Sequence, residues 1–216
     1  MQFFSLLFSD PAGALIYILS LFLAMCIAIS FHECAHAFVA YKLGDPTAKN
    51  LGRMSLDPLR HLDGWGLLSF LLFGLGWAKP VIVNSRNLKH FRRDDVLISI
   101  AGPAANLLIS FIFYGITFFT IRAGVQNVIL LEVLSTIFSL NLSFAIFNMI
   151  PLPPLDGFHI ISSLFVRKSY RFLDFLSRYS YIILFALMWS GVFSYIVSWA
   201  GNGIISLFRA FFQLFL

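Results

Sequence analysis

Charged residues are scarce in this chain. They make up 12% of its 216 residues, about half of the share found in an average soluble domain. Hydrophobic residues account for 59%, phenylalanine alone occurs 26 times, and the mean hydropathy is +0.87. This composition excludes an ordinary soluble domain and predicts an integral membrane protein. We expect one all-α domain over residues 1–216, a polytopic bundle of about four to six transmembrane helices.

The sequence also lacks the patterns of a disulfide bond, a cysteine metal site and a signal peptide. The two cysteines, Cys26 and Cys34, lie on one predicted helix, about 12 Å apart along its axis, which excludes a disulfide bond between them. Neither belongs to a pair with metal-binding spacing. Residues 1–30 contain no basic segment and no clear cleavage site, so we expect no removable signal peptide.

Apolar runs and their glycine or proline interruptions define the predicted elements. Four glycines interrupt the apolar stretch 64–83, which predicts a short membrane-embedded extended or re-entrant segment between the first and second spans. The core is expected at about 20–165 and the C-terminal helices at about 179–216. The individual predictions are spans at 13–41, 95–121, 126–150 and 179–200, a short apolar segment up to 165, a turn at Gly201–Gly203 and an interfacial helix at 204–216.

Most Lys and Arg residues lie in two connections, one between the first and second spans and one between the third and last spans. The positive-inside rule places both connections in the cytoplasm. The C-terminal end of the first span and the segment after the third span then meet at the same face. Because topology explains these charges, the net charge of +5 does not indicate binding to nucleic acid.

The motif SFHECAHAFVA, residues 30–40, places a glutamate between two histidines inside an apolar run. His32 and His36 are four residues apart, so they lie on one face of a helix and can bind one zinc ion. Glu33 lies beside that face, where it suits a general base acting on metal-bound water. Short HExxH patterns also occur by chance, but an unpaired glutamate within a span costs about 2.5–3.5 kcal/mol.

A catalytic zinc ion of this kind needs a third protein ligand. Asp156, in NMIPLPPLDG at 148–157, follows a helix broken by prolines and lies at the same predicted face as His32 and His36. The sequence therefore favours Asp156. Asp10 and Glu132 are predicted near the opposite face. The remaining acids lie in or beside polar loops, where solvent accounts for them: Asp45, Asp57, Asp63, Asp94, Asp95 and Asp174.

The combination of HECAH, AGPAAN at 101–106 and NMIPLPPLDG resembles the site-2 protease family of intramembrane zinc metalloproteases. The last motif fits the family pattern N-x-x-P-x-P-x-L-D-G, and GWAKPV at 76–81 resembles the family's membrane-embedded strand region. The resemblance covers about residues 20–165. The connection 42–94 is too short for an inserted PDZ domain, and the usual span ahead of the HExxH helix is absent. These departures argue against regulation through a periplasmic sensor domain, and they do not affect the expected chemistry.

The resemblance implies one zinc ion per chain, with His32, His36 and Asp156 as ligands, Glu33 as base and Asn148 facing the substrate or the oxyanion. The expected function is hydrolysis of peptide bonds within or near the single transmembrane helix of another membrane protein. The expected location is a cell membrane, the prokaryotic cytoplasmic membrane, with the active site toward the cytoplasm. The oligomeric state stays open.

Weaker expectations concern the neighbouring polar residues. Gly102 and Asn106 are expected to approach the first helix, Asn106 as a second-shell hydrogen-bond partner, although helix packing alone also explains the glycine. His159 is a candidate second-shell group or alternative ligand, and His61 is expected to be solvated. Two other functions remain open: a zinc transporter, which would place polar residues along a whole path, and a non-catalytic scaffold, which would usually lack the base or a ligand.

Overall fold

Four helices among the described residues are long and apolar enough to cross a membrane. The computed structural model describes residues 9–73, 77–165 and 170–215, and no β-strand occurs within them. The all-α polytopic fold is confirmed. The helices are α1 (Pro11–Lys42), α2 (Thr47–Asn50), α3 (Gly64–Phe73), α4 (Phe91–Arg122), α5 (Val128–Asn148), α6 (Asp156–Phe165), α7 (Tyr170–Trp189) and α8 (Val192–Gln213).

The first three spans, α1, α4 and α5, pack against one another. Each contributes one residue to a buried apolar cluster, namely Ala24, Ile109 and Ile137. The buried face of α1 consists largely of alanine and serine, and in lipid such small residues allow helix backbones to approach closely. With 32 residues each, α1 and α4 are about 48 Å long, so they exceed the hydrocarbon layer of about 30 Å.

The segment between α1 and α4 differs in part from its prediction. Residues 64–73 form the helix α3, whereas the chain from Trp77 to Asn84 has no helical structure and is linked to Leu62 by one antiparallel bridge at Ala78. The amide of Lys79 donates to the carbonyl oxygen of His61 over 2.8 Å. The extended part is therefore shorter than predicted, and the stretch Gly74–Gly76 lies outside the described residues.

The C-terminal helices begin and end at different residues from those predicted. The chain reverses at Gly191, whose φ of 77° favours glycine, and α8 continues through the predicted turn at Gly201–Gly203. Gly201 is buried and faces Leu142 and Ile146 of α5, each 3.8 Å from the position of a β-carbon. The glycine therefore serves a close helix contact rather than a turn. The predicted span at 179–200 and interfacial helix at 204–216 are wrong.

Three polar side chains predicted to be solvated are buried, namely Asp45, His61 and Asp94. The ring of His61 approaches the carbonyl oxygen of Ser55, with Nε2 2.7 Å away. Asp94 accepts from the amide of His90 over 2.9 Å and pairs with Arg93. A position in or beside a loop therefore did not imply exposure, because other groups of the connection between α1 and α4 hydrogen-bond these side chains.

Asp45 ties the chain after α1 to the chain before α4. Its Oδ1 accepts from the amide and hydroxyl of Thr47 and from the side-chain amide of Asn87, and its Oδ2 accepts from the amide of Asn84 at 2.7 Å. Burial opposes ionisation, but these donors prevail and hold the pKa of Asp45 below its ordinary value.

We predict that Asp45→Asn destabilises the fold by about 1–3 kcal/mol at pH 7. The side-chain NH₂ group of the asparagine would face the same hydrogen-bond donors from which the carboxylate of Asp45 accepts. The pKa of this carboxylate is lower in the folded state, so its contribution is present above the unfolded pKa of about 3.9 and is lost as the pH falls through the folded value. Thermal unfolding of both proteins in detergent at pH 7 and below pH 4 measures the difference. Asp57→Asn, at a half-exposed side chain, is the control and should have little effect. An equal loss in both variants would contradict the prediction.

Candidate metal centre

Helix α1 carries His32, Glu33 and His36 in its buried half, and only 5% of His32 and 8% of His36 is exposed. The four-residue spacing places both imidazole rings on one face of α1, with ring centroids 4.5 Å apart and nearly perpendicular planes. Their Nε2 atoms are 2.9 Å apart. The spacing along the helix therefore places the two nitrogens near each other.

The outer nitrogen of each ring is occupied by an oxygen from α4. Nδ1 of His32 lies 2.6 Å from Oδ1 of Asn106, and Nδ1 of His36 lies 2.7 Å from the carbonyl oxygen of Ile98. These oxygens only accept, so each Nδ1 carries a proton. In the neutral rings both Nε2 atoms then present lone pairs toward each other, and this is the tautomer that metal-binding histidines use.

Asp156 completes the cluster from the first residue of α6. Its Oδ2 lies 3.1 Å from Nε2 of His32, and its Oδ1 lies 3.4 Å from Nε2 of His36. Close packing places it there: a β-carbon on Gly157 would collide with the carbonyl groups of Met149 and Ile150. Only glycine lets α6 begin this close to the end of α5.

The three side chains form the only group of His, Cys, Asp and Glu in the described residues whose ligand atoms meet closely enough for a metal ion. Oδ2 of Asp156 is buried and has no donor in that part of the chain. Lone pairs and a carboxylate at this distance repel one another unless a proton or a metal ion lies between them. Their separations match the edge of about 3.3 Å of a tetrahedron with ligands 2.0–2.1 Å from zinc, so the residues fit a zinc ion.

Gly102 of α4 leaves the space for such an ion. A β-carbon there would lie 2.6 Å from Cε1 and 2.7 Å from Nε2 of His32, and closer still to Nε2 of His36. The methyl group of an alanine would therefore occupy the region onto which the nitrogens converge. The predicted close approach of Gly102 to α1 is found, and it serves the cluster as well as the helix contact.

Glu33 lies beside the cluster, at the wall of a cavity of about 720 Å³. Its Oε2 accepts from the amide of Val81 in the extended segment over 3.0 Å. The cavity wall is mainly apolar, with His32, Glu33, Ser143 and Asn148 among its few polar groups. Parts of α1, α3, α5, α7 and α8, the extended segment and the chain just before α6 form this wall. A long apolar ligand can thus lie against the carboxylate of Glu33.

The remaining predicted site residues have different positions. Asn148 lines the cavity, but its Nδ2 donates to the carbonyl oxygen of Phe144 in its own helix over 3.0 Å. His159 lies outside the group of metal-ligating atoms, and its Nδ1 is 4.0 Å from Oδ1 of Asp95. Its side chain is 56% exposed, so the structure does not bring it to the cluster. Asn106 contacts His32 directly, as expected of a second-shell residue.

The sequence reasoning missed Asn141 of α5. This side chain is fully buried and accepts from Nδ2 of Asn106 over 3.0 Å. A signal was available, because an asparagine within the apolar run IFSLNLSFAIF is costly in lipid without a partner. The carbonyl oxygen of Ile98 was also missed, and no sequence signal identifies one backbone carbonyl among many.

Comparison with known proteins agrees with this arrangement. The model of peptidase family M50 matches residues 121–189, which include Asn148 and Asp156. A protein of Bacillus subtilis named as a zinc metalloprotease, YwhC, is 40% identical over 203 residues, covering 89% of this chain and 92% of its own. The chain belongs to peptidase family M50. This confirms the resemblance to the site-2 proteases, and with it a zinc metalloprotease.

Two more distant relatives also carry names that describe zinc metalloproteases. Rip2 of Mycolicibacterium smegmatis is 25% identical over 86% of this chain and 79% of its own length. MJ0611 of Methanocaldococcus jannaschii is 31% identical over 70% of this chain and 73% of its own. No solved structure matches the chain. Together with the apolar helices, membership of this family makes the chain a multi-pass membrane protein whose cofactor is zinc.

We predict that Gly102→Ala prevents zinc binding, because the added methyl group occupies the centre of the cluster. Zinc content of the purified protein, measured by atomic emission, should fall from one ion per chain to almost none. Gly203→Ala is the matched control, since a β-carbon at Gly203 meets no atom within 4 Å. Full zinc content in Gly102→Ala would show that the ion binds elsewhere.

Proposed function

We propose that the chain is an intramembrane endopeptidase that cleaves peptide bonds within or near the transmembrane segment of another membrane protein. In this proposal His32, His36 and Asp156 hold one zinc ion and Glu33 is the general base. The observation that carries the proposal is the convergence of two imidazole lone pairs and a carboxylate beside Glu33, at the wall of an apolar cavity. A water-activating group next to a binding surface for apolar chain suits hydrolysis in lipid.

A zinc ion held by these three side chains supplies Lewis-acid activation of water and of the substrate carbonyl. Glu33 takes a proton from the attacking water as the new C–O bond forms, and it passes a proton to the amide nitrogen as the C–N bond breaks. Its contact with the Val81 amide holds the carboxylate at the cavity wall. One carboxylate can therefore serve both proton transfers.

Asn148 is proposed to stabilise the oxyanion. Its side-chain amide has two N–H groups, and only one is used by the carbonyl oxygen of Phe144. The other can donate into the cavity, where little water competes for it. A neutral donor that faces developing negative charge lowers the barrier without the cost of burying another charge.

The extended segment is proposed to receive the substrate. A helical substrate must unwind before its peptide bonds become accessible, and unwound backbone needs hydrogen-bond partners in lipid. Trp77, Ala78 and Pro80 line the cavity in non-helical backbone. An unwound substrate strand could pair there by strand addition.

The proposed location is the cytoplasmic membrane of a prokaryote. The site is proposed to lie toward the cytoplasm because the basic connections flank it.

The decisive experiment compares wild type with Glu33→Gln, both purified in detergent and loaded with zinc. A panel of single-span membrane reporters is incubated with each protein, and cleavage sites are mapped by mass spectrometry. We expect wild type to cut within the span. Glu33→Gln should cut about 10²–10⁴-fold more slowly, which is the contribution typical of a general base. Zinc content should be equal, because Glu33 is not in the ligand group.

Glu132→Gln provides the matched control, because it makes the same change at a glutamate on α5 that does not line the cavity. It should cut at the wild-type rate. Equal cutting by wild type and Glu33→Gln would contradict the role of Glu33. No cutting by any zinc-loaded protein across the panel would favour the alternative, a non-proteolytic zinc-binding membrane protein.

A further inference from the structure

A chain of hydrogen bonds joins His32 to the backbone of α5 through two buried asparagines. Nδ1 of His32 meets Oδ1 of Asn106 at 2.6 Å, and Nδ2 of Asn106 donates to Oδ1 of Asn141 over 3.0 Å. Nδ2 of Asn141 donates in turn to the carbonyl oxygen of Ile137 over 2.8 Å. Both asparagines are 0% exposed. We call these contacts the asparagine relay.

We infer that Asn141 is a positioning residue that acts through Asn106 to hold His32 in the tautomer able to bind zinc. The inference rests on the proposed zinc ligands. It adds to them a residue on a third helix that touches neither the ion position nor the cavity.

Backbone carbonyls fix the direction of the asparagine relay. The carbonyl oxygen of Ile137 only accepts, so Asn141 must turn its NH₂ group toward it and its oxygen toward Asn106. Asn106 must then turn its NH₂ group toward Asn141 and its oxygen toward His32. The carbonyl oxygen of Ala28, 2.9 Å from Nδ2 of Asn106, favours the same orientation. The proton of His32 is thereby kept on Nδ1.

The opposite orientation would remove a zinc ligand. If the amide of Asn106 rotated by half a turn, its NH₂ group would face Nδ1 of His32 and make that nitrogen the acceptor. The ring proton would move to Nε2, which then could not coordinate a metal. In lipid no water is present to satisfy the displaced groups, so each bond of the asparagine relay supports the next.

His36 does not need a comparable relay. Its Nδ1 bonds directly to the carbonyl oxygen of Ile98 in α4, and a backbone carbonyl inside a helix cannot exchange its acceptor for a donor. A side-chain amide can rotate, so only the His32 contact depends on further residues. This difference predicts that Asn141 affects zinc affinity through His32 alone.

The test measures zinc affinity by chelator competition in detergent for wild type, Asn106→Leu, Asn141→Leu and the double variant. We expect Asn106→Leu to bind zinc about 10–100-fold more weakly, the usual effect of removing a hydrogen-bond partner of a ligand. Asn141→Leu should show a smaller effect and bind zinc about tenfold more weakly than wild type. The double variant should bind no more weakly than Asn106→Leu, because Asn141 acts only through Asn106.

Ser110→Ala is the control for helix packing. Ser110 is buried on α4 and donates to the carbonyl oxygen of Phe138 in α5 over 2.9 Å, so it joins the same two helices without contacting a histidine. Its removal should lower the melting temperature and leave zinc affinity at the wild-type value. The absorption spectrum of the cobalt-loaded proteins provides a second readout, since a change in the ligand field should appear in Asn141→Leu and not in Ser110→Ala.

Three results would overturn the inference: wild-type zinc affinity in Asn141→Leu, an equal loss in Ser110→Ala, or the same loss from Asn141→Leu when Asn106 is already leucine. If Asn141→Leu does not fold, Asn141→Ala gives the same comparison.

His32→Ala separates this inference from the proposed set of zinc ligands on which it rests. Wild-type affinity in His32→Ala would refute the ligand set and the inference together, whereas weakened binding there with an unaffected Asn141→Leu would refute the inference alone.

Discussion

Two imidazole lone pairs and a carboxylate face one another in the apolar interior of this protein, with the two Nε2 atoms 2.9 Å apart. Without a positive charge between them this arrangement is repulsive, and lipid provides no water to weaken the repulsion. The surrounding structure must therefore hold these three side chains and leave a space of suitable size. Much of the molecule around α1 is arranged to meet these two requirements.

Helix α4 meets both requirements within three turns. The carbonyl oxygen of Ile98 and the side chain of Asn106 hold the two rings, and Gly102 lies between them where any β-carbon would collide. A glycine also permits a close approach where α5 ends and α6 begins, since Gly157 allows Asp156 to approach α1. Small residues thus have a chemical role here as well as a packing role.

Glu33 connects the metal centre to the proposed substrate surface. It lies at the cavity wall, one residue from a proposed zinc ligand, and it accepts a hydrogen bond from Val81 of the extended segment. That segment is held at one end by the contact of Lys79 with His61 and at the other by the contact of Asn84 with Asp45. The loops outside the spans therefore fix the position of backbone that lies beside Glu33, the proposed base.

The sequence by itself determined the membrane class, the first three spans to within four residues at each end, and the candidate ligands. Hydropathy and helical spacing are local properties, so His32 and His36 could be paired without a structure. The predicted topology then favoured Asp156, and the family motif agreed with that choice. The C-terminal helices were placed wrongly because a glycine that packs and a glycine that turns look alike in sequence: Gly201 faces α5, whereas Gly191 reverses the chain.

Only the tertiary structure decided which polar groups share a site. The burial of Asp45, the contact between Asn106 and Asn141, and the separation of His159 from the cluster all depend on how distant segments meet. A hydrogen bond between helices needs a specific rotation of each helix, and no pattern along one segment records the rotation of another. The sequence thus supplied the candidate ligand atoms, and the packing of α4, α5 and α6 around α1 determined their spacing and the space between them.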